Sequence, residues 1–214
     1  MSQPDWERTL EVGTAEQTHA LAAALGAELE AGDLLVLTGE LGAGKTTFTQ
    51  GLGEGLGVRA GIISPTFVLV RIHPNLPDGP RPGGPDLVHV DAYRLASAAE
   101  IDDIDLENTM DSAVTVVEWG RDRVEHLSES RLEVELHRRL GGAQPAGPEP
   151  AGTQPASPQA AGGVLDFDTD DADDEPRTIV FRGFGPRWAE PPAPLAGITD
   201  LPGTPALPAT PETD

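Results

Sequence analysis

An α/β fold with a mixed central sheet is predicted by three observations. Short apolar runs alternate with helical patterns along the first half of the chain. Two late segments alternate with period two. A glycine-rich turn stands between an apolar run and a helical pattern.

The elements follow in chain order. "TAEQTHALAAALGAELEAG" reads as a helix with Thr14 as N-cap and Gln17 completing a capping box, and Leu21, Leu25 and Leu29 form its apolar stripe. "DLLVLTG" (33–39) is nearly all apolar, as in a strand buried on both faces. A helix starts near Lys45, and Gly51, Gly53, Gly55 and Gly57 weaken its far end. Strands are expected at 66–72 ("TFVLVRI") and 86–93 ("DLVHVDAY"), joined by a hairpin whose tip is the Pro/Gly stretch 73–86. "SAAEIDDIDLEN" reads as a helix capped by Ser97 with Glu100 at N3. "DSAVTVVEW" (111–119) is a strand ending in an acid, and "RDRVEHL" a short helix. "RLEVELHRR" (131–139) and "RTIVFRGF" (177–184) alternate apolar and polar, and read as antiparallel neighbours.

Between those two strands, residues 141–163 hold no large apolar side chain, and 166–175 ("DFDTDDADDE") are nearly all acid. Such segments bury too little surface to offset their ordering entropy, so they are expected to be disordered. The expected organisation is a domain over 1–140, a disordered insert over 141–176, a final strand returning over 177–188, and a disordered Pro-rich tail over 189–214. Growth of such a connection costs little, because loop-closure entropy rises slowly with length.

The chain has no cysteine, which excludes disulfides and thiolate metal sites and suits a reducing, cytoplasmic setting. No apolar run reaches the roughly 20 residues of a membrane helix, and the first residues show no secretion signal. The formal charge is -22, from 36 acids against 14 bases. A protein that grips a phosphate backbone directly carries a basic face, so a nucleic-acid role would run through a partner. The alternative is that the acidity serves solubility alone.

Lys45 is the only lysine; every other basic side chain among the 14 is arginine. Gly39, four residues, then Gly44-Lys45-Thr46 match the phosphate-binding loop G-x-x-x-x-G-K-[ST]. The glycines let the backbone curl so that its N–H groups face phosphate oxygens. The following helix points its positive end at the same anion. A lysine is a compact charge able to lie over the β- and γ-phosphates, where an arginine fork differs in shape and reach. Thr46 offers a hydroxyl to Mg²⁺. The expected fold is therefore a P-loop NTPase-like three-layer domain, with Lys45 as a catalytic residue. Such a site also needs an acid at a strand end, and two are available: Asp91 ends "LVHVD" and Glu118 ends "AVTVVE". The hydroxyls of "SPTF" (64–67), Ser64 and Thr66, either sense a γ-phosphate or belong to a plain turn at Pro65.

"GELGAGKTTFTQGL", "SPTF", "HVDAYRL" and "VEWG", in this order and spacing, make residues 10–140 resemble the bacterial TsaE (YjeE) family. The resemblance implies an ATPase serving synthesis of threonylcarbamoyladenosine at tRNA position 37 in tRNAs that read codons beginning with A. It implies ATP and Mg²⁺ as ligands and TsaD and TsaB as partners, with tRNA met only indirectly and no membrane role. By the same resemblance Leu41, Gly42, Ala43, Gly44, Lys45 and Thr46, with Thr47 beside them, would hold the phosphates. Thr46 and Glu118 would serve Mg²⁺, and Asp91 would position water or metal. Thr14 would lie near the base. Ser64, Thr66, Tyr93, Arg94 and Trp119 would line the site or couple it to partners. The inserts at 73–86 and 141–176 and the Pro-rich tail depart from the compact family pattern.

Two other readings compete. A small-molecule kinase shares the loop but needs an arginine-rich lid, and none follows. A nucleotide-gated interaction module would bind ATP or ADP and change shape without useful hydrolysis. A GTPase is disfavoured, because the single lysine leaves no N-K-x-D base-reading motif.

Overall fold

The computed structural model describes residues 3–95, 100–101, 104–138 and 176–196. Its seven strands are β1 (Trp6–Val12), β2 (Leu34–Gly39), β3 (Val70–His73), β4 (Asp86–Asp91), β5 (Ala113–Glu118), β6 (Arg131–Arg138) and β7 (Arg177–Phe184). They form one sheet in the order β1-β7-β6-β2-β5-β4-β3. The centre is parallel, β2 pairing with β5 and β6, and β4 with β5. The flanks are antiparallel: β1 on β7, β7 on β6 and β3 on β4. The mixed sheet and the pairing of the last two strands are as expected. The connecting insert, with its expected disorder, lies outside the described residues.

β2 shows why its apolar run is nearly continuous. Leu35 and Leu37 belong to the apolar layer beneath helices α1 (Ala15–Gly26) and α2 (Lys45–Leu56). Leu34 and Val36 join a second layer on the opposite face, with Ile101, Leu106, Met110 and Val124. These are the three layers of an α/β sandwich. Thr14 caps α1 by accepting from Gln17 N–H at 3.2 Å, while Gln17 Oε1 accepts from Gly13 N–H rather than from the N-cap itself. Leu25 and Leu29 are fully buried and Leu21 packs against the core, although the helix ends at Gly26. Ser97 lies outside the described residues. Glu100 and Ile101 are helical, and one further turn, α3, spans Glu107–Met110.

Several expectations are corrected. The strand over 66–72 begins only at Val70; residues 66–69 form a turn that ends with Leu69 at φ 66. The segment "RDRVEHL" is a series of turns, not a helix. β1, not among the expected strands, is an edge strand that pairs with β7 alone among the described residues. Ordered structure also reaches past residue 189: Ala193–Ala196 form a helical turn, α4, and Leu195 is fully buried in the α1/α2 layer. The 73–86 stretch packs back on the domain. Arg81 donates to Leu29 O at 2.6 Å, and Asn75 Nδ2 to Leu56 O at 2.9 Å.

The α2 glycines serve packing. A Cβ at Gly51 would strike the His19 carbonyl, one at Gly55 the Ala23 carbonyl, and one at Gly26 the Leu52 carbonyl. His19 faces Gly51 and Ala23 faces Gly55, so the two helices run in the same direction with their backbones touching. In an ordinary helix Gly→Ala stabilises by roughly 0.5–1 kcal/mol. Here Gly55→Ala is expected to destabilise by about 1–3 kcal/mol, the usual cost of overpacking. Thermal unfolding checks it, and a melting temperature above wild type would contradict the packing argument.

The sheet face behind β6 and β7 carries charge. Glu135 accepts from Arg121 Nη2 at 2.8 Å and from Arg182 Nη1 at 2.7 Å. Burial alone would raise the Glu135 carboxyl, but the hydrogen bonds and charges of Arg121 and Arg182 outweigh it and lower its pKa from 4.5 to about 2. A depressed folded pKa gives stability that is present above the unfolded value and is lost as pH falls toward the folded one. The melting-temperature gap between wild type and Glu135→Gln is therefore expected to be full at neutral pH and to close between pH 4.5 and 2. A gap independent of pH in that window would refute it. Among the described residues no helix is long and apolar enough to cross a membrane.

Candidate functional site

The C-terminal edge of the parallel strands carries the chemistry. β2 ends at Gly39, and the chain curls through Gly39, Gly42 and Gly44 at φ 146, 77 and 99 before entering α2. These left-handed angles favour glycine. Gly44 is the N-cap of α2, so the helix begins on Lys45. α1 starts beside it: Ala15 and the Gly44–Thr47 backbone border one cavity of about 470 Å³. Two helix N-termini thus border the same space, each with the positive end of its dipole toward it.

Lys45 lines that space and is 5% exposed. Its Nζ donates to Gly39 O at 2.8 Å and Glu40 O at 2.9 Å, and lies 3.8 Å from the centroid of the Trp119 ring. Burial lowers the lysine pKa, while Glu118, Asp91 and Glu40 pull it back up. Trp119 reaches this position through a left-handed turn at φ 62, fixed by its N–H donating to Leu37 O at 2.8 Å. Its ring centroid is 5.2 Å from that of Tyr93.

The two strand-end acids are direct register partners on parallel strands β4 and β5, Asp91 opposite Glu118. Both are buried and both border the cavity. Their hydrogen bonds separate them. Thr46 Oγ1 donates to Glu118 Oε1 at 3.3 Å, and His89 Nε2 lies 2.9 Å from the same oxygen. Asp91 Oδ2 accepts from Ser64 Oγ at 2.7 Å and Thr66 Oγ1 at 2.6 Å, while Tyr93 N–H donates to Oδ1 at 2.9 Å. The "SPTF" hydroxyls therefore belong to a turn, and that turn is anchored on a cavity carboxylate.

Most of the residues singled out in the sequence meet here. Leu41, Gly42, Gly44, Lys45, Thr46 and Thr47 line the cavity from the loop. Ser64, Thr66, Asp91, Tyr93, Glu118 and Trp119 line it from the strand ends. Three candidates do not. Ala43 is buried under the loop, its N–H donating to Glu40 O. Thr14 caps α1 next to the lining residue Ala15. Arg94 sits outside, 6.0 Å from the Phe67 ring. Two residues escaped sequence reasoning. Arg177, the first residue of β7, lines the cavity, and a Cβ on Gly44 would lie 3.4 Å from its Nε. Only the strand pairing across the long insert brings it there. His89 was hidden inside a strand; its position two residues before Asp91, on the same face, was the available signal.

The family model described as "Threonylcarbamoyl adenosine biosynthesis protein TsaE" matches residues 12–143. The chain is 45% identical over 162 residues to the tRNA threonylcarbamoyladenosine biosynthesis protein TsaE of Streptomyces coelicolor, covering 75% of this chain and 86% of that protein. It is 39% identical over 124 residues to the protein of the same name from Bacillus subtilis, covering 58% of this chain and 73% of that one. Among solved structures it is similar to Bacillus subtilis YdiB, with a TM-score of 0.55 and 28% identity, covering 86% of this chain and 89% of that chain.

Proposed function

The chain belongs to the TsaE family, which acts in tRNA threonylcarbamoyladenosine biosynthesis, and from that premise we propose that it is a Mg²⁺-dependent ATPase. Its nucleotide cycle would serve repeated turnover of a cytoplasmic complex with TsaD and TsaB counterparts, and tRNA would be met through those partners. The observation that carries the ATPase reading is the hydrogen bond from Thr46 to Glu118, two residues 72 positions apart at the mouth of a glycine loop.

The residues fit a magnesium nucleotide on their own chemistry. Gly42 borders the cavity at φ 77, a conformation that favours glycine and lets the loop backbone curl toward a ligand. A hydroxyl, Thr46, and a carboxylate, Glu118, are the hard oxygen donors that Mg²⁺ prefers. When bound, Mg²⁺ neutralises phosphate charge and orients the terminal phosphate. The loop N–H groups and the two helix N-termini would bind the phosphates. Lys45 would move its three donors from the Gly39 and Glu40 carbonyls to phosphate oxygens. Glu118 and Thr46 would hold the cation. Asp91, already fixed by three donors, would orient the attacking water, and its bonds to Ser64 and Thr66 would couple that water to the 64–69 turn. Arg177 would add a second positive charge beside Gly44. The acidity of the chain supports a route to tRNA through partners.

The deciding experiment is phosphate release from Mg-ATP by the purified protein, alone and with its TsaD and TsaB counterparts plus tRNA. Slow release alone that rises sharply with the partners is expected. Release that ignores the partners and waits for a small-molecule acceptor would replace this reading by a kinase.

A further inference from the structure

His89 is completely buried in β4, and its ring does work that packing does not require. Nε2 meets Glu118 Oε1 at 2.9 Å, while Nδ1 has no hydrogen-bond partner among the described residues. A carboxylate oxygen accepts, so Nε2 donates to it, and Nδ1 is left as a buried polar atom without a partner among the described residues. Such an atom costs free energy that an apolar side chain of similar volume would not. The ring therefore stands at this position at the expense of its own second nitrogen.

We propose that His89 is the positioning residue for Glu118, fixing the carboxylate that receives the divalent cation. This rests on the reading of Glu118 and Thr46 as the Mg²⁺ ligands. Thr46 approaches Oε1 from α2 at 3.3 Å, a long contact that alone holds the group loosely. The shorter bond from His89 comes from the neighbouring strand, whose register with β5 is set by parallel pairing. A carboxylate tied at Oε1 by two rigid elements cannot rotate, and Oε2, which accepts no hydrogen bond among the described residues, is kept for the cation. Partners of this kind set metal affinity: their loss costs about 10–100-fold. β4 thus supplies two residues to one site from the same face, Asp91 directly and His89 through Glu118.

The test compares His89→Gln, His89→Asn and His89→Leu. A glutamine amide nitrogen reaches the place of Nε2, the asparagine amide stops one methylene short, and leucine offers no donor. The measurement is nucleotide affinity by calorimetry, first in EDTA and then across a Mg²⁺ titration, with the melting temperature recorded for each variant. His89→Leu and His89→Asn are expected to need at least about tenfold more Mg²⁺ for half-maximal effect, with affinity in EDTA unchanged. His89→Gln is expected to stay close to wild type. Should His89→Leu fail to fold, the Gln and Asn pair decides. The proposal is overturned if wild type responds to Mg²⁺ and the Leu or Asn variant responds equally, or if Gln is as damaged as Asn. A wild type that binds no Mg-ATP at all would instead sink the reading of the site on which this one stands.

Discussion

Lys45→Ala is expected to weaken Mg-ATP binding by at least about a hundredfold, or about 2.7 kcal/mol, while leaving the fold intact. The side chain is buried at the convergence of a glycine loop and two helix N-termini, and its three donors are spent on two loop carbonyls and an indole face. A triphosphate is the kind of partner that would draw them away, because charge-assisted bonds to phosphate are worth more than bonds to neutral carbonyls. Folding gains little from the residue, since burial already lowers its pKa. Lys45→Arg is not expected to restore binding, because the planar fork cannot occupy the compact space between Gly39, Glu40 and the Trp119 ring. Calorimetry with Mg-ATP, alongside a melting curve, checks both variants. Wild-type affinity in Lys45→Ala would end the assignment of this loop as a phosphate site.

The second large effect concerns Glu118. Glu118→Ala is expected to bind nucleotide yet release phosphate at least about tenfold more slowly. The argument is positional. Glu118 is the acid that shares a hydrogen bond with the loop threonine, whereas Asp91 is engaged with the 64–69 turn. Single-turnover phosphate release, with binding measured separately, distinguishes a loss of hydrolysis from a loss of affinity. Undiminished hydrolysis in Glu118→Ala would transfer the role to Asp91, its register partner one strand away.

The central part of this architecture was legible because it is encoded locally. A loop with a fixed spacing, apolar runs ending in acids and two period-two strands each announce themselves within ten residues. What stayed hidden depends on distant partners. β1 exists because β7 offers it an edge, more than 160 positions along the chain. Arg177 enters the cavity through the same pairing. The 66–69 segment carries a strand-like pattern, but the Asp91 carboxylate draws Ser64 and Thr66 toward it and the backbone turns left-handed at Leu69. The α2 glycines read as weakness by helix propensity, whereas the neighbouring helix makes them the residues that fit. Leu195 lies in a segment whose composition promises nothing, and a single apolar side chain seats it on the core.

The contact between α1 and α2 has a mechanical meaning. Helices whose backbones touch at three glycine contacts cannot slide or splay without opening a gap at each, so they behave as one plate. Both N-termini on that plate border the cavity, so the distance between the Thr14 end and the Lys45 end is constant. An incoming ligand finds this jaw already set and pays no ordering entropy for it. Any closure must come from the opposite side: the 64–69 turn that hangs on Asp91, with the Phe67 ring exposed on it. One side of the cavity is thus rigid, and the Phe67 ring is the exposed group that a closing motion of the other side would carry.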